Sequence, residues 1–345
     1  MIKIVKGNVV TAEAEALVNT VNCLGYMGKG IALQFKKAFP ENFKVYERAC
    51  RNNLVQPGKM LIFNTGTIEN PKYIINFPTK RHWRERSILE DIEIGLRALV
   101  EDVHRLTIKS IAIPPLGCGL GGLDWKLVKP MIESAFSNVT DIEVFVFEPL
   151  GSPDYHSMRV RTERPRMTVA RALFIRLMHQ YSKMAYRLTL LEIQKLAYLL
   201  QEAGEPLRLK YEAGHYGPYA HNLNKVLEIL EAHYIKGYGD SQKPDVEIKL
   251  LPGAIEEADA FLLEQVESTR RLNRVSGVIE GFETPYGMEL LSSVHWVSNH
   301  GFQPAKNVNE AIEAISKWTS RKSKIFQPDH IITAWKRLET CGWLN

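Results

Sequence analysis

The sequence predicts an α/β domain, a sheet with helices on both faces, followed by a mainly α-helical second domain. Three observations carry this. Short β-rich runs alternate with amphipathic helical stretches up to about residue 148. The periodicity then breaks over PLGSPDYHSMRVRTERPR at 149–166. Beyond that break the apolar spacing is helical almost throughout. At 345 residues the chain exceeds what one hydrophobic core usually supports, so two domains are expected: 1–150, a linker at 151–166, and 167–345.

The strands expected in the first domain are IKIV at 2–5, ALVNTVN at 16–22, MLIF at 60–63, YIINF at 73–77, SIAI at 110–113 and EVFVF at 143–147. Between the fourth and fifth, Leu89, Ile92, Leu96, Leu99 and Val103 recur at steps of three or four and place one apolar stripe on a helix. A further helix is expected to begin near Trp125, with Asp124 as its cap.

In the second domain, Thr189-Leu190-Leu191-Glu192 has the form of a capping box and Gly204 stands where a helix would stop. This predicts a helix over 190–203 that buries Ile193, Leu196 and Leu200. Other helices are expected over 167–183, 219–233, 254–272, 285–296, 308–318 and 328–340, with a short strand near 246–251.

Composition excludes several classes. Hydrophobic residues at 45% and charged residues at 24% describe an ordinary globular chain. No run approaches the roughly 18 apolar residues of a membrane span, and MIKIVKGNVV lacks the features of a secretory signal, so a cytoplasmic location is expected. Cys23, Cys50, Cys118 and Cys341 show neither a CxxC pair nor a zinc spacing, which argues against a disulfide framework or a metal site.

The formal charge of +5 is small, but charge is unevenly spread. From Arg159 to Arg187 there are eight basic residues against the single acid Glu163, and from Glu228 to Glu267 ten acids face only Lys236, Lys243 and Lys249. The plain reading of each stretch is a solvated surface; the other is a docking patch.

Two glycine-rich stretches carry the chemistry. Gly117-Cys118-Gly119-Leu120-Gly121-Gly122 lies between strand 110–113 and the helix beginning near Trp125. Such a turn lets backbone amides and a helix N-terminus approach phosphate oxygens, a geometry suited to a diphosphate. It lacks both the Lys-Ser/Thr ending of a P-loop and the dinucleotide spacing after a first strand, and a turn needing glycine for positive φ accounts for it equally well. The stretch from Asn19 to Ala32, NTVNCLGYMGKGIA, also runs from a strand end through a flexible loop into a helix.

The opening KGNVV, the segment VNTVNCLGYMGKGIA and the strand-linked LGCGLGG resemble the macrodomain, an ADP-ribose-binding fold, over residues 1–148. The resemblance implies a three-layer α/β/α arrangement with a mixed central sheet. NFPTKRHWR around Lys80, together with GCGL, is similar to the branch containing the terminal ADP-ribose protein glycohydrolase and the DarG antitoxins, where the lysine matching Lys80 is needed to release ADP-ribose. In the second half, IQKLAYLLQEAG and YEAGHYGPYAHNLNKVLE resemble the Panacea-type domain of antitoxins.

The implied activity is removal of ADP-ribose from thymine bases of single-stranded DNA, without cofactor or metal. The implied partners are ADP-ribosylated single-stranded DNA, ADP-ribose and a cognate DarT-like toxin bound by residues 167–345, with no membrane. DNA mimicry by the acidic stretch would fit the DNA groove of such a toxin.

Residue by residue, the resemblance makes Lys80 catalytic, either as a nucleophile on the anomeric carbon or as a cation stabilising the departing thymine. The reading from residues alone places Lys80 with Arg81, Arg84 and Arg86 in a basic strip touching DNA phosphates. ADP-ribose contacts are expected from Asn8, Val9, Asn22, Gly28, Lys29, Gly30, Ile31, Thr79, Gly117, Cys118, Gly119, Leu120 and Gly121. Arg81, His82, Trp83 and Arg84 are candidate DNA contacts, with Trp83 able to stack a base or to serve as a rim or core aromatic.

Two positions depart from the pattern. Asn8 stands where many macrodomains carry an aspartate for the adenine amino group, so its carbonyl oxygen would accept a weaker bond. Gly121 stands where the protein glycohydrolase has an acid, which shifts the chemical burden towards Lys80.

Three classes of function fit: a DNA ADP-ribosyl glycohydrolase that also binds a toxin, a hydrolase of ADP-ribosylated protein or small ADP-ribose esters, and a non-catalytic ADP-ribose reader. Operator binding through a helix-turn-helix in the second domain is a further alternative.

Overall fold

The computed structural model describes residues 1–149, 158–183, 187–240, 246–300 and 303–344. The chain forms two compact units, Met1–Arg164 with Gly239–Gln242, and Pro165–Tyr238 with Lys243–Asn345. Of the linker expected at 151–166, residues 151–157 lie outside the described residues.

The first unit is built on six strands: β1 (Ile2–Val5), β2 (Ala16–Asn22), β3 (Leu61–Asn64), β4 (Tyr73–Lys80), β5 (Ser110–Ile113) and β6 (Glu143–Phe147). They form one sheet in the order β1-β6-β5-β2-β4-β3, parallel except for β3, which pairs antiparallel with β4. Its helices are α1 (Gly30–Ala38), α2 (Pro40–Arg51), α3 (Leu89–Arg105) and α4 (Trp125–Phe136).

The alternation of side chains along a strand sorts these helices into layers. Ala16 and Val18 of β2 join Ile92, Leu96 and Leu99 of α3 and Val128 and Ile132 of α4 in one apolar cluster. Leu17 points the other way, to Phe35 and Ala38 of α1, and Val21 meets Tyr46, Ala49 and Cys50 of α2. The expected α/β/α sandwich with a mixed sheet results. The polar Asn19 also lies on the α1/α2 side. Its Nδ2 donates to Asn76 Oδ1 (2.9 Å), and Asn76 Nδ2 donates to Asn42 Oδ1 (2.7 Å), so a fully buried asparagine triad ties β2, β4 and α2.

The second unit contains α5 (Val169–Ser182), α6 (Leu190–Glu202), β7 (Tyr211–Gly214), β8 (Gly217–Ala220), α7 (Leu223–Leu230), β9 (Ile235–Lys236), β10 (Lys249–Leu250), α8 (Ala254–Leu262), α9 (Val266–Ile279), α10 (Pro285–Asn299), α11 (Val308–Trp318), α12 (Ser320–Ile325) and α13 (Pro328–Thr340). The capping box forms at Thr189 and Glu192, and Ile193, Leu196 and Leu200 are buried.

Three expectations need correction. The helix expected over 219–233 begins only at Leu223, because Gly217–Ala220 pairs with Tyr211–Gly214 as a hairpin. The helix expected over 254–272 is two, broken after Leu262, and the second runs on to Ile279. The third strand is shifted by one residue, from 60–63 to Leu61–Asn64.

The hairpin explains the second pair of motifs. Gln194 clamps the backbone of Ala220 on β8, accepting from its amide (2.9 Å) and donating to its carbonyl (3.1 Å), and the buried Lys195 donates to the Pro218 carbonyl (2.8 Å). IQKL and YGP are therefore two halves of one internal joint.

Candidate active site

β2, β4 and β5 run parallel, so their carboxyl ends open on the same edge of the sheet, where open α/β sheets bind ligands. β4 extends past the expected Phe77 through Pro78 and Thr79 to Lys80. A register shift after Val21 places Lys80 opposite Asn22. The catalytic candidate is thus fixed at a strand end.

Burial sets Lys80 apart from its basic neighbours. The residue is only 9% exposed, whereas Arg81, Arg84 and Arg86 are exposed. Its Nζ donates to the Leu120 carbonyl of the glycine loop at 2.5 Å. Burial holds the amine below the usual lysine range, because a charged ammonium loses hydration there.

The glycine loop folds on itself. Leu123 N donates to Gly117 O (3.0 Å), Cys118 N to Pro115 O (3.1 Å) and Gly122 N to Gly119 O (3.1 Å), while Gly121 O accepts from Ser87 N (3.0 Å). The amides of Gly119, Leu120 and Gly121 have no acceptor among the described residues, so they are open to an anion. A Cβ on Gly121 would collide with the Gly117 carbonyl oxygen and with Ser87 Oγ. No acid, nor any side chain, fits there without reshaping the loop.

The second glycine stretch lies against the first. A Cβ on Gly30 would come within 3.2 Å of Leu120 Cδ1, and Ile31 and Ala32 belong to the first turn of α1, whose amides lack intrahelical acceptors. Gly28, Lys29, Gly30, Ile31, Leu120 and Lys80 are therefore gathered around one rim. Thr79 is buried beside them and bonds the Val21 carbonyl (3.5 Å), a contact between strands.

Other expected residues are engaged differently. Asn8 caps a short 3-10 turn at Val9–Thr11: its Oδ1, the atom expected to accept from adenine, accepts from Val10 N (3.0 Å), while its buried Nδ2 has no partner among the described residues. Val9 is a core residue, packed in the cluster of Phe35 and Leu17. Asn22 Oδ1 accepts from Leu24 N (2.9 Å), Tyr26 N (3.4 Å) and Tyr46 Oη (3.2 Å), and Nδ2 donates to Tyr26 O (2.6 Å). Its second Nδ2 hydrogen is what remains for a ribose. Burial pushes the Cys118 thiol up to about 11, and Asp124 caps α4 through Lys126 N (2.9 Å).

Among the candidate DNA contacts, the Arg81 guanidinium is tied to Asp91 of α3 at 3.0 and 3.2 Å. His82 stacks on Trp83 with centroids 5.6 Å apart, and the Arg84 guanidinium lies over the Trp83 ring at 4.5 Å. Among the described residues no group of three metal-ligating side chains could hold a metal ion, and no helix is long and apolar enough to cross a membrane.

Sequence reasoning passed over Ser87, whose buried hydroxyl has no partner among the described residues and lies beneath the glycine loop, and Tyr26, exposed at the site rim. Nothing in the local sequence marks Ser87, because its position depends on how 117–121 returns. Tyr26 did carry a signal, an aromatic ring inside a glycine stretch.

A DNA ADP-ribosyl glycohydrolase of Thermus aquaticus is 44% identical over 100% of this chain and 95% of its own length. The chain belongs to the DNA ADP-ribosyl glycohydrolase family. Its first unit carries the family's macrodomain, with residues 18–132 matching the Macro domain. The solved macrodomain of Mycobacterium tuberculosis DarG is 50% identical, covers 44% of this chain and 99% of its own, and superposes with a TM-score of 0.43. A DNA ADP-ribosyl transferase-DNA ADP-ribosyl glycohydrolase fusion protein of Thermosipho africanus is 33% identical over 43% of this chain and 42% of its own. In this glycohydrolase family member, the buried lysine and the two glycine loops therefore lie within the macrodomain itself.

Proposed function

We propose that this chain is a cytoplasmic antitoxin that removes ADP-ribose from thymine bases of single-stranded DNA, with Lys80 as its catalytic residue. One observation carries the reading: a buried amine at a strand end, hydrogen-bonded to a glycine loop whose neighbouring amides are open to a diphosphate. Membership of a family whose Thermus aquaticus relative is named a DNA ADP-ribosyl glycohydrolase supports the choice of DNA over protein.

Lys80 acts as the nucleophile. Burial lowers its pKa, which eases formation of the neutral amine that such an attack requires. The Nζ lone pair forms a bond to the anomeric carbon as the bond to the thymine ring nitrogen breaks, and the electron pair leaves with thymine, which takes a proton from solvent. Water then hydrolyses the lysine–ribose linkage, returning the amine and free ADP-ribose. The leaving nitrogen is a better leaving group than an alkoxide, so the reaction runs without an acid at Gly121. The diphosphate is held by the amides of Gly119 to Gly121 and by those of Ile31 and Ala32 in the first turn of α1, where the Gly30 amide already bonds the Gly239 carbonyl (2.7 Å).

Residues 167–345 bind and neutralise a cognate DarT-like toxin through the acidic surface. Of the expected stretch, Glu231 is buried and accepts from Gly237 N and Tyr238 N, and Asp245 lies outside the described residues. The exposed members include Glu256, Glu264 and Glu267 on or beside α8 and α9. The fusion of a transferase and a glycohydrolase in one Thermosipho africanus chain supports the pairing of the two activities.

The decisive assay follows ADP-ribose release by the chain and by Lys80→Ala from ADP-ribosylated single-stranded DNA and from ADP-ribosylated protein. Release from DNA alone, lost in the variant, is expected. Equal release from protein overturns the substrate assignment, and release that survives Lys80→Ala overturns the catalytic one. Replacing Glu256, Glu264 and Glu267 together with lysine should abolish toxin capture and leave DNA hydrolysis intact; unchanged capture removes the acidic surface from the account.

A further inference from the structure

The loop between β2 and α1 is constructed to hold one side chain outward. Asn22, buried at the end of β2, grips the backbone of Tyr26 at both ends, accepting from its amide and donating to its carbonyl. Tyr46 of α2 in turn donates to the Asn22 carbonyl oxygen at 2.7 Å. On either side of Tyr26 the chain is tucked in. Gly25 adopts φ +85°, with its Cβ position 3.4 Å from Cys50 Cβ, and Met27 is buried. Tyr26 itself remains 56% exposed. A scattered exposed aromatic needs no explanation, but one fixed by a buried polar side chain beside a candidate catalytic lysine does.

Its neighbour shows what the ring is for. Trp83 lies 6.1 Å away at 56°, already stacked by His82 and overlaid by the cationic Arg84. Of the two large rings, Tyr26 is the more exposed and Trp83 only partly so. Both follow strand ends that are register partners, Asn22 and Lys80, so the pair stands beside the candidate catalytic lysine. An aromatic face with a guanidinium beside it recognises a nucleobase and its phosphate irrespective of base identity.

We propose that Tyr26 is the stacking platform for the base adjacent to the modified nucleotide, with Arg84 meeting the intervening phosphate. This inference rests on the DNA reading above. Tyr26 positions substrate; it does not touch the bond that breaks.

The test measures kcat and KM for the full chain, Tyr26→Ala and Tyr26→Phe on three substrates. These are an ADP-ribosylated thymine within a single-stranded oligonucleotide, the same oligonucleotide with abasic sites flanking that thymine, and ADP-ribosylated thymidine nucleoside. Tyr26→Ala is expected to lose about tenfold more in kcat/KM on the intact oligonucleotide than on the nucleoside, through KM, as one base–aromatic stack would give. Tyr26→Phe keeps the ring and is expected to retain that preference. Abasic flanks should bring the unsubstituted chain to the level of Tyr26→Ala. Equal losses on all three substrates, or none on the intact oligonucleotide, overturn the inference alone. An unsubstituted chain that releases nothing from any of them overturns the DNA reading and the inference with it.

Discussion

Each unit of the molecule buries a lysine on a backbone carbonyl, Lys80 on Leu120 and Lys195 on Pro218, yet the two sites differ in what surrounds the amine. Around Lys80 polar groups are left open: the amides of Gly119, Leu120 and Gly121, and the hydroxyl of Ser87. Around Lys195 most are closed, the buried Glu192 Oε1 being the exception among the described residues. Lys322 Nζ bonds Glu289 (2.7 Å) and Ser293 Oγ (3.0 Å), Arg321 bonds both Glu289 oxygens, and Gln194 holds Ala220. A buried amine therefore does not by itself announce catalysis. Backbone donors left open beside it add to the case, because a bound anion can satisfy them.

The largest expected effect breaks this comparison at its catalytic end. Lys80→Ala should lower kcat for ADP-ribose release by about a thousandfold, roughly 4 kcal/mol, with little change in thermal midpoint. Calorimetry of the two proteins checks the second half of that statement. A midpoint lowered as strongly as activity would make Lys80 a structural lysine like its counterpart.

At the other end, Lys322→Ala removes the fully buried partner of Glu289 and leaves that carboxylate short of a cation. A loss of about 3 kcal/mol in the stability of the second unit is expected, read by denaturant unfolding, with kcat on ADP-ribosylated DNA unchanged. Reduced kcat at full stability would place this cluster in the reaction.

The two units also differ in how far the sequence disclosed them. In the first, apolar periodicity located all six strands and the stripe of α3, because each obeys a local repeat. In the second, the capping box at Thr189 was legible, but the hairpin Tyr211–Ala220 was not, since its strands, YEAG and GPYA, carry glycine and proline in place of an apolar repeat and Gln194 holds the second from a distant helix. At the site, the glycine loops stood out by residue type, and Lys80 only through the macrodomain resemblance. Ser87 and the role of Asn22 did not, for both depend on where the chain returns. Asn8 was legible as a departure, yet only the fold shows its oxygen occupied by Val10 N.

Gly121 offers a smaller, sharper test on the open side. Gly121→Ala drives a Cβ into the Gly117 carbonyl and Ser87, so the loop must shift, at an expected cost of about 1–3 kcal/mol and about a tenfold weaker ADP-ribose affinity by titration calorimetry. Gly119→Ala meets nothing within 4 Å and lies outside the positive-φ region, so it is the control. Equal affinities for the two variants would mean that the loop does not cradle the diphosphate.

The smallest effect concerns pH and the closed side. Burial, reinforced by the nearby Lys322 charge, pushes Lys195 down to about 7, against about 10.4 for an unfolded lysine. Between those values the unfolded chain binds a proton that the folded chain refuses, so stability rises with pH across that window and the gain is lost as pH falls towards 7. The limiting slope for one such group is about 1.4 kcal/mol per pH unit. Measured between pH 7.5 and 9, below the range where exposed tyrosines and lysines ionise, the unsubstituted chain should gain stability more steeply than Lys195→Met, which has no proton to refuse. Parallel profiles would show that Lys195 stays charged within its cluster of partners, and the contrast between the two buried amines would then lie in their partners alone.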